Sequence, residues 1–257
     1  PEAVATYTET GSYRYSSDIV NEIIQGYQDD FAKYGAKANP LLLRQTLISV
    51  AHQAGVKFVY SRVEGQYRSA EVKVALEMLK DAGLIIPTYH TDANGVPLGA
   101  EINERVVKYL IHDTGVLLGI LGIDDDIDER IKEMMVADSI DLVDKGHVAE
   151  MMAGLELIKY SSPQTRHQLY YWQNMNKGTC AEVDYVIARS GSIVPIEVKS
   201  GVKGSMSSMY SLMRNLQKHI EMGIRCSLEN FGTFASPDGK KIDIIPLYAI
   251  SNLFAEK

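Results

Sequence analysis

The feature that most constrains this chain is a pair of short alternating segments separated by a tight turn. Within the strand-like segments Ala181–Ala188 and Ile193–Lys199, Glu182-Val183-Asp184-Tyr185 and Ile196-Glu197-Val198-Lys199 alternate polar and apolar residues, and Arg189-Ser190-Gly191-Ser192 lies between the two segments. Alternation at a period of two is the signature of a strand, and a small Gly-containing turn joining two such strands predicts a β-hairpin. Side chains alternate faces along each strand. Glu182 and Asp184 therefore share one face of the first strand, and Pro195, Glu197 and Lys199 share one face of the second.

The elements around this hairpin follow an α-β-β-β-α-β order. Gly146–Tyr160 reads as a helix with Val148, Met152, Leu155 and Ile158 on its apolar stripe. Gln168–Gln173 is a short aromatic strand. Gly204–Glu221 is an amphipathic helix carrying Met206, Met209, Leu212, Met213, Leu216 and Ile220, a stripe that suits core packing better than a cofactor site. Strands near Ile224–Phe231 and Lys241–Ile250 flank the turn Ser236-Pro237-Asp238-Gly239.

The first half has a different period. Tyr13–Tyr34 reads as a helix capped by Ser16 or Ser17 and ended by Gly35. Pro40 opens a second helix with Asn39 as its cap, and Ser69 caps a third that buries Val72, Ala75, Leu76 and Leu79 before Gly83. Leu84–Thr91 and Arg105–His112 then read as strands around the turn Asp92-Ala93-Asn94-Gly95. Helices followed by a hairpin is the order of a winged helix, whose third helix enters the major groove of DNA. Here that helix exposes Glu71, Lys73, Glu77, Lys80 and Asp81, a mixed set with acids in the majority, which suits a solvated or protein-facing surface better than a DNA-reading one. The reading is thus α+β, a helical and winged-helix domain at 1–115 followed by an α/β domain at 116–257. Asp124-Asp125-Asp126-Ile127-Asp128-Glu129 lacks the spacing of a calcium loop and reads as an acidic helix cap near the boundary.

If the hairpin pairs in register, Asp184, Glu197 and Lys199 converge, and Glu150 on the preceding helix can reach the same patch. Two carboxylates held close repel, and a shared Mg²⁺ relieves the repulsion. Asp184, Glu197 and the carbonyl of Val198 are the expected ligands. A water on the ion could attack a phosphodiester with Lys199 at hand. The same residues fit a cross-strand ion-pair ladder equally well.

Composition bounds the alternatives. With 46% hydrophobic and 23% charged residues among 257, the chain is ordinary for a globular protein. A net charge of −7 argues against a surface that coats nucleic acid throughout, although not against a local groove. Cys180 and Cys226 form neither a C-x-x-C pair nor a zinc spacing, so the reducing cytoplasm is the expected compartment. The longest apolar run, Gly115–Leu121, is too short to span a bilayer, so no membrane contact is expected. No Gly-x-x-x-x-Gly-Lys-Ser/Thr occurs, so this chain is not expected to hydrolyse ATP.

The series Glu150, Asp184, Glu197-Val198-Lys199, with 197 − 184 = 13 residues between the hairpin acids, resembles the PD-(D/E)xK nuclease superfamily. Its catalytic set would then be Glu150, Asp184, Glu197 and Lys199. A second resemblance covers nearly the whole chain. Pro1-Glu2-Ala3-Val4, Lys57-Phe58-Val59-Tyr60-Ser61, Ala75–Ile85 and Lys108-Tyr109-Leu110-Ile111-His112-Asp113-Thr114-Gly115 are similar to the region after the ATPase lid in a family of prokaryotic AAA-type ATPases. Leu169-Tyr170-Tyr171-Trp172, Glu182-Val183-Asp184-Tyr185 and Pro195–Lys199 resemble that family's C-terminal, nuclease-like domain of unknown function. The resemblance implies the C-terminal part of such an ATPase, with ATP bound only by an N-terminal domain outside this chain and that domain as a partner in cis. DNA is the implied ligand, with Mg²⁺-dependent cleavage as the activity. The alternatives are a non-catalytic DNA- or protein-binding module and an oligomerisation region. One departure is that Ala149, not an aromatic, precedes Glu150, which leaves Glu156 as an alternative helix acid. Opening on Pro1 rather than Met also fits a segment of a longer protein.

Overall fold

The computed structural model describes residues 1–34, 39–122, 145–161, 168–174, 181–215, 218 and 220–254. They form an α+β protein that separates into two compact units. The first takes in residues 1–86 and 109–122, the second 87–108 and the described residues from 145 onward. No helix among the described residues is long and apolar enough to cross a membrane.

The first unit is helical. Helix α1 (Glu2–Thr10) ends on Gly11, which at φ 67° adopts the left-handed conformation that glycine tolerates best. Helix α2 (Tyr13–Phe31) is capped by Ser12, whose Oγ accepts from the Tyr15 N–H. The cap therefore precedes the expected Ser16 and Ser17, and Ser16 donates to the Ala3 carbonyl instead. Helix α3 (Pro40–His52) starts as its sequence predicts, with the Asn39 side chain accepting from the Leu41 N–H and proline in the first turn. Helix α4 (Ser69–Asp81) buries Val72, Ala75, Leu76 and Leu79, the predicted face. Its cap position is Arg68, one residue earlier than expected. The Glu71 carboxylate reaches back to the Arg68 N–H and closes the first turn. Helix α5 (Thr114–Ile120) is capped by Asp113, which accepts from the Val116 N–H.

Strands β1 (Ile85–Thr91) and β2 (Ile102–Ile111) follow α4 as the hairpin of a winged helix would, but they do not stand as a free wing. β1 pairs in parallel with β3 (Leu169–Gln173), joining Thr88 to Leu169 and His90 to Tyr171. β3 in turn pairs antiparallel with β4 (Glu182–Val183), giving a sheet ordered β2-β1-β3-β4.

The long strand expected over Ala181–Ala188 is broken at Asp184. Glu182–Val183 belongs to the first sheet, and β5 (Tyr185–Arg189) begins the second. β5 pairs antiparallel with β6 (Ser192–Val198), from Tyr185 opposite Ile196 to Arg189 opposite Ser192. Ser190 (φ 49°) and Gly191 (φ 76°) make the two-residue turn, with both residues at positive φ as such tight hairpins require. β7 (Met222–Ser227) and β9 (Lys241–Pro246) extend this sheet in parallel with β6, and β8 (Gly232–Ala235) closes its edge. β8 is a separate strand between the two that the sequence predicts there.

Helix α6 (Lys145–Lys159) buries Ala149, Glu150, Met151, Ala153 and Leu157. The expected stripe was rotated, and Met152 is exposed. Helix α7 (Ser207–Met213) is shorter than the predicted 204–221, yet Met206, Met209, Leu212 and Met213 are buried as expected. They pack with Trp172, Val186 and Ile242 in one apolar cluster. Gly223 on β7 admits this packing, since a Cβ there would meet the Met209 sulfur at 2.6 Å. Leu216, the acidic run 124–129 and Gly35 lie outside the described residues.

Candidate functional site

The candidate site lies wholly in the second unit, where the chain passes from one sheet to the other. Asp184 sits at that break. The register that faces Tyr185 with Ile196 sets Asp184 opposite Glu197, one step beyond the last ladder pair. Facing residues of antiparallel strands share a face, so the two carboxylates converge as the alternation predicts. Because no strand continues beside β6 there, the Val198 N–H is free of the ladder, and Asp184 Oδ2 accepts it at 2.7 Å. On the other side of β6, the Lys199 N–H donates to the Cys226 carbonyl at 2.8 Å and fixes the strand end. A residue's N–H and C=O point to the same side of a strand, so the Val198 carbonyl also projects toward Asp184.

Lys199 Nζ meets Glu197 Oε1 at 2.6 Å. Glu197 Oε2 is buried and has no hydrogen-bond partner. The stem of Lys199 lies against Gly204, where a Cβ would meet its Cδ at 2.6 Å. Glycine at that position (φ +146°) leaves room for this lysine conformation.

Glu150 enters from the buried face of α6. Tyr185 holds that helix, its hydroxyl donating to the Glu150 carbonyl at 2.8 Å. The alternative acid, Glu156, lies elsewhere on the helix, paired with Lys159 at 3.3 Å. The Glu150 carboxylate meets a partner that sequence reasoning did not assign to the site. Lys108 of β2 is 1% exposed, and its ammonium contacts Glu150 Oε1 at 3.0 Å and Glu182 Oε1 at 2.5 Å. It also lies 4.8 Å from the centre of the Tyr171 ring. One signal was present, because Lys108 is the lone charge in the otherwise apolar run Val106–Ile111, and such a lysine must find buried partners.

Six charged side chains thus act on one another: Glu150, Glu182, Asp184 and Glu197 against Lys108 and Lys199. At full ionisation two cations face four carboxylates, an excess of two negative charges. Nearby Arg225 does not redress it, being engaged by Glu229 at 2.8 Å and by the Val202 carbonyl. Burial, with Asp184 and Glu182 adding repulsion, outweighs the pull of Lys108 and raises Glu150 to about 8. Burial and the charge of Asp184 raise Glu197 to about 7 against the pull of Lys199. Asp184 is also raised, chiefly by burial, although the Val198 N–H and both lysines oppose this. Lys108 is held charged, since its carboxylate neighbours outweigh its own desolvation. Both groups are raised, which keeps Lys108 charged and Glu150 protonated, because one ammonium cannot neutralise three acids and the least solvated carboxyl retains its proton. Cys226, behind β6, is pushed up to about 12 by burial and remains a thiol.

Among the described residues, no three His, Cys, Asp or Glu side chains are gathered closely enough to hold a metal ion together. The donor set at β6 is instead two carboxylates and a carbonyl. This fits Mg²⁺, which is often held by one or two carboxylates and keeps several waters. The unpartnered Glu197 Oε2 supplies a free donor atom within that set.

Two family models match the chain, both domains of unknown function: DUF8612 over residues 1–127 and DUF4143 over residues 145–250. The described site residues from Glu150 to Lys199 fall within the second, and Lys108 falls within the first. No curated protein and no solved structure matches the chain.

Proposed function

We propose that the second unit is a restriction-endonuclease-like domain that binds Mg²⁺ and acts on DNA, within the C-terminal part of an AAA-type ATPase. The observation that carries this reading is the two-charge deficit at the break between β4 and β5. Four carboxylates and two ammonium groups converge there, and the shortfall equals the charge of one divalent cation. Without an ion, protons make up the difference on Glu150 and Glu197. Asp184, Glu197 and the Val198 carbonyl would hold the Mg²⁺, which when bound supplies a polarised water and charge neutralisation for phosphodiester attack. Lys199, which pairs with Glu197 at 2.6 Å, would donate to the phosphate and stabilise its developing charge. Glu150 and Lys108 orient the acid cluster from behind.

A non-catalytic reading has support of its own. The Lys199–Glu197 pair is closed at 2.6 Å, and the net charge of −7 opposes tight DNA binding. Calorimetry with Mg²⁺ and Mn²⁺, together with plasmid nicking, separates the two. The nuclease reading expects metal binding that is lost in Asp184→Asn, and Mg²⁺-dependent nicking that is lost in Asp184→Asn, Glu197→Gln and Lys199→Ala. Metal binding without nicking, in this chain and in the ATP-loaded full protein, would support the binding module. Absence of both would end the metal-site reading.

A further inference from the structure

Glu150 and Glu182 are not used by an ion bound between Asp184 and Glu197, yet both are aimed at a single point. Their Oε1 atoms lie 3.0 and 2.5 Å from Lys108 Nζ, hence no more than 3.0 + 2.5 = 5.5 Å from each other. Two-metal centres hold their ions about 3.5–4 Å apart, and two carboxylates turned to one point beside a first ion site supply oxygen ligands of the kind a second ion takes. Here a lysine ammonium already stands between them. It is 1% exposed and backed by the face of the Tyr171 ring. Leaving would strand two carboxylates and expose a desolvated cation to the apolar strand around it.

We infer that Lys108 is the internal counter-cation of this site, its ammonium filling the position between Glu150 and Glu182 that would otherwise take a second divalent ion. The centre therefore accepts one ion, between Asp184 and Glu197. This rests on the metal-site reading above and adds a stoichiometry to it. A purely structural ion pair would stabilise β2 against α6 and leave the number of bound ions unchanged, whereas a counter-cation sets that number.

The test is Mn²⁺ stoichiometry on the whole chain by calorimetry and electron paramagnetic resonance. The wild-type chain is expected to bind one Mn²⁺. Lys108→Met is expected to bind two, with the second lost again when Glu182→Gln is added, and Lys108→Arg is expected to stay at one. If the methionine variant does not fold, Lys108→Gln, whose amide can still bond a carboxylate, takes its place with the same expectation. Two ions in the wild-type chain, or one ion in a folded Lys108→Met or Lys108→Gln chain, would overturn the inference while leaving the metal site standing. No ion in the wild-type chain would instead remove the metal-site reading, and the inference with it.

Discussion

Replacing Glu197 by glutamine should make the protein more stable at alkaline pH and, on the metal-site reading proposed above, remove its response to Mg²⁺. Burial and the charge of Asp184 raise the Glu197 carboxyl from 4.5 to about 7. The folded chain thus keeps a proton that the unfolded chain has lost. The stability from that group is complete below pH 4.5, declines as pH rises toward 7 and is absent above it. A shift of about 2.5 units at roughly 1.4 kcal/mol per unit amounts to on the order of 3 kcal/mol. Glutamine has the same shape and no charge to desolvate, so the variant escapes this loss. The attraction of Lys199, which the variant forgoes, is already contained in that raised value. Urea unfolding in EDTA should therefore find Glu197→Gln more stable than wild type by roughly 1–3 kcal/mol at pH 8.5, and equal or slightly less stable at pH 4.5. Excess Mg²⁺ should then reverse the order at pH 8.5. On the Mg²⁺ reading proposed above, the wild-type chain would gain about 4.1 kcal/mol at one thousand times its dissociation constant, and the variant would gain little. Destabilisation of the variant at pH 8.5 equal to or greater than that at pH 4.5 would refute the argument, because it would mean that the pair with Lys199 offsets or outweighs burial.

Three further substitutions probe the geometry around this carboxylate. Asp184→Asn keeps an oxygen for the Val198 N–H and should unfold within about 1 kcal/mol of wild type, whereas Asp184→Ala leaves that N–H unpaired and should lose about 1–3 kcal/mol in denaturant unfolding, so a simple gain in stability on removing this acid is not expected. Gly204→Ala introduces a Cβ within 2.6 Å of the Lys199 stem at a positive φ; it should lose about 1 kcal/mol or more and displace the ammonium from Glu197, measurable as a changed Glu197 titration by NMR.

Legibility in the sequence tracked how local the determining physics is. The hairpin turn at Ser190-Gly191, the cap at Asn39 and the buried face of α4 depend on a few adjacent residues, and all were readable. The convergence of Asp184 with Glu197 and Lys199 followed from alternation and a turn of fixed length. The buried face of α6 was misread because both of its faces carry apolar residues. Which one turns inward is set by the sheet and by the Tyr185 hydroxyl holding the Glu150 carbonyl. The break at Asp184 was hidden for a related reason, since strand propensity continues through Val183, Tyr185 and Val186 while the pairing partner changes from β3 to β6. Lys108 lay 42 residues from Glu150 and 74 from Glu182, so its role depended on the parallel pairing of β1 with β3, which no local pattern encodes.

The break between β4 and β5 explains why the charges collect where they do. β6, β7 and β9 run in parallel and end at one edge of the sheet, the edge at which open α/β sheets present their ligand sites. At that edge the chain preceding β5 belongs, as β4, to the other sheet, so the Val198 N–H and carbonyl are left without a neighbouring strand. A buried backbone group in that position needs a polar partner, and Asp184 supplies one by virtue of being the residue at the bend. The same requirement that stabilises the backbone thereby brings a carboxylate into a desolvated corner beside Glu197, where its charge disfavours the ionised form of its neighbour. Backbone pairing and electrostatics are therefore opposed at this one position. The hydrogen bond that completes the fold also creates the electrostatic strain that a proton, or on the reading above a divalent ion, relieves.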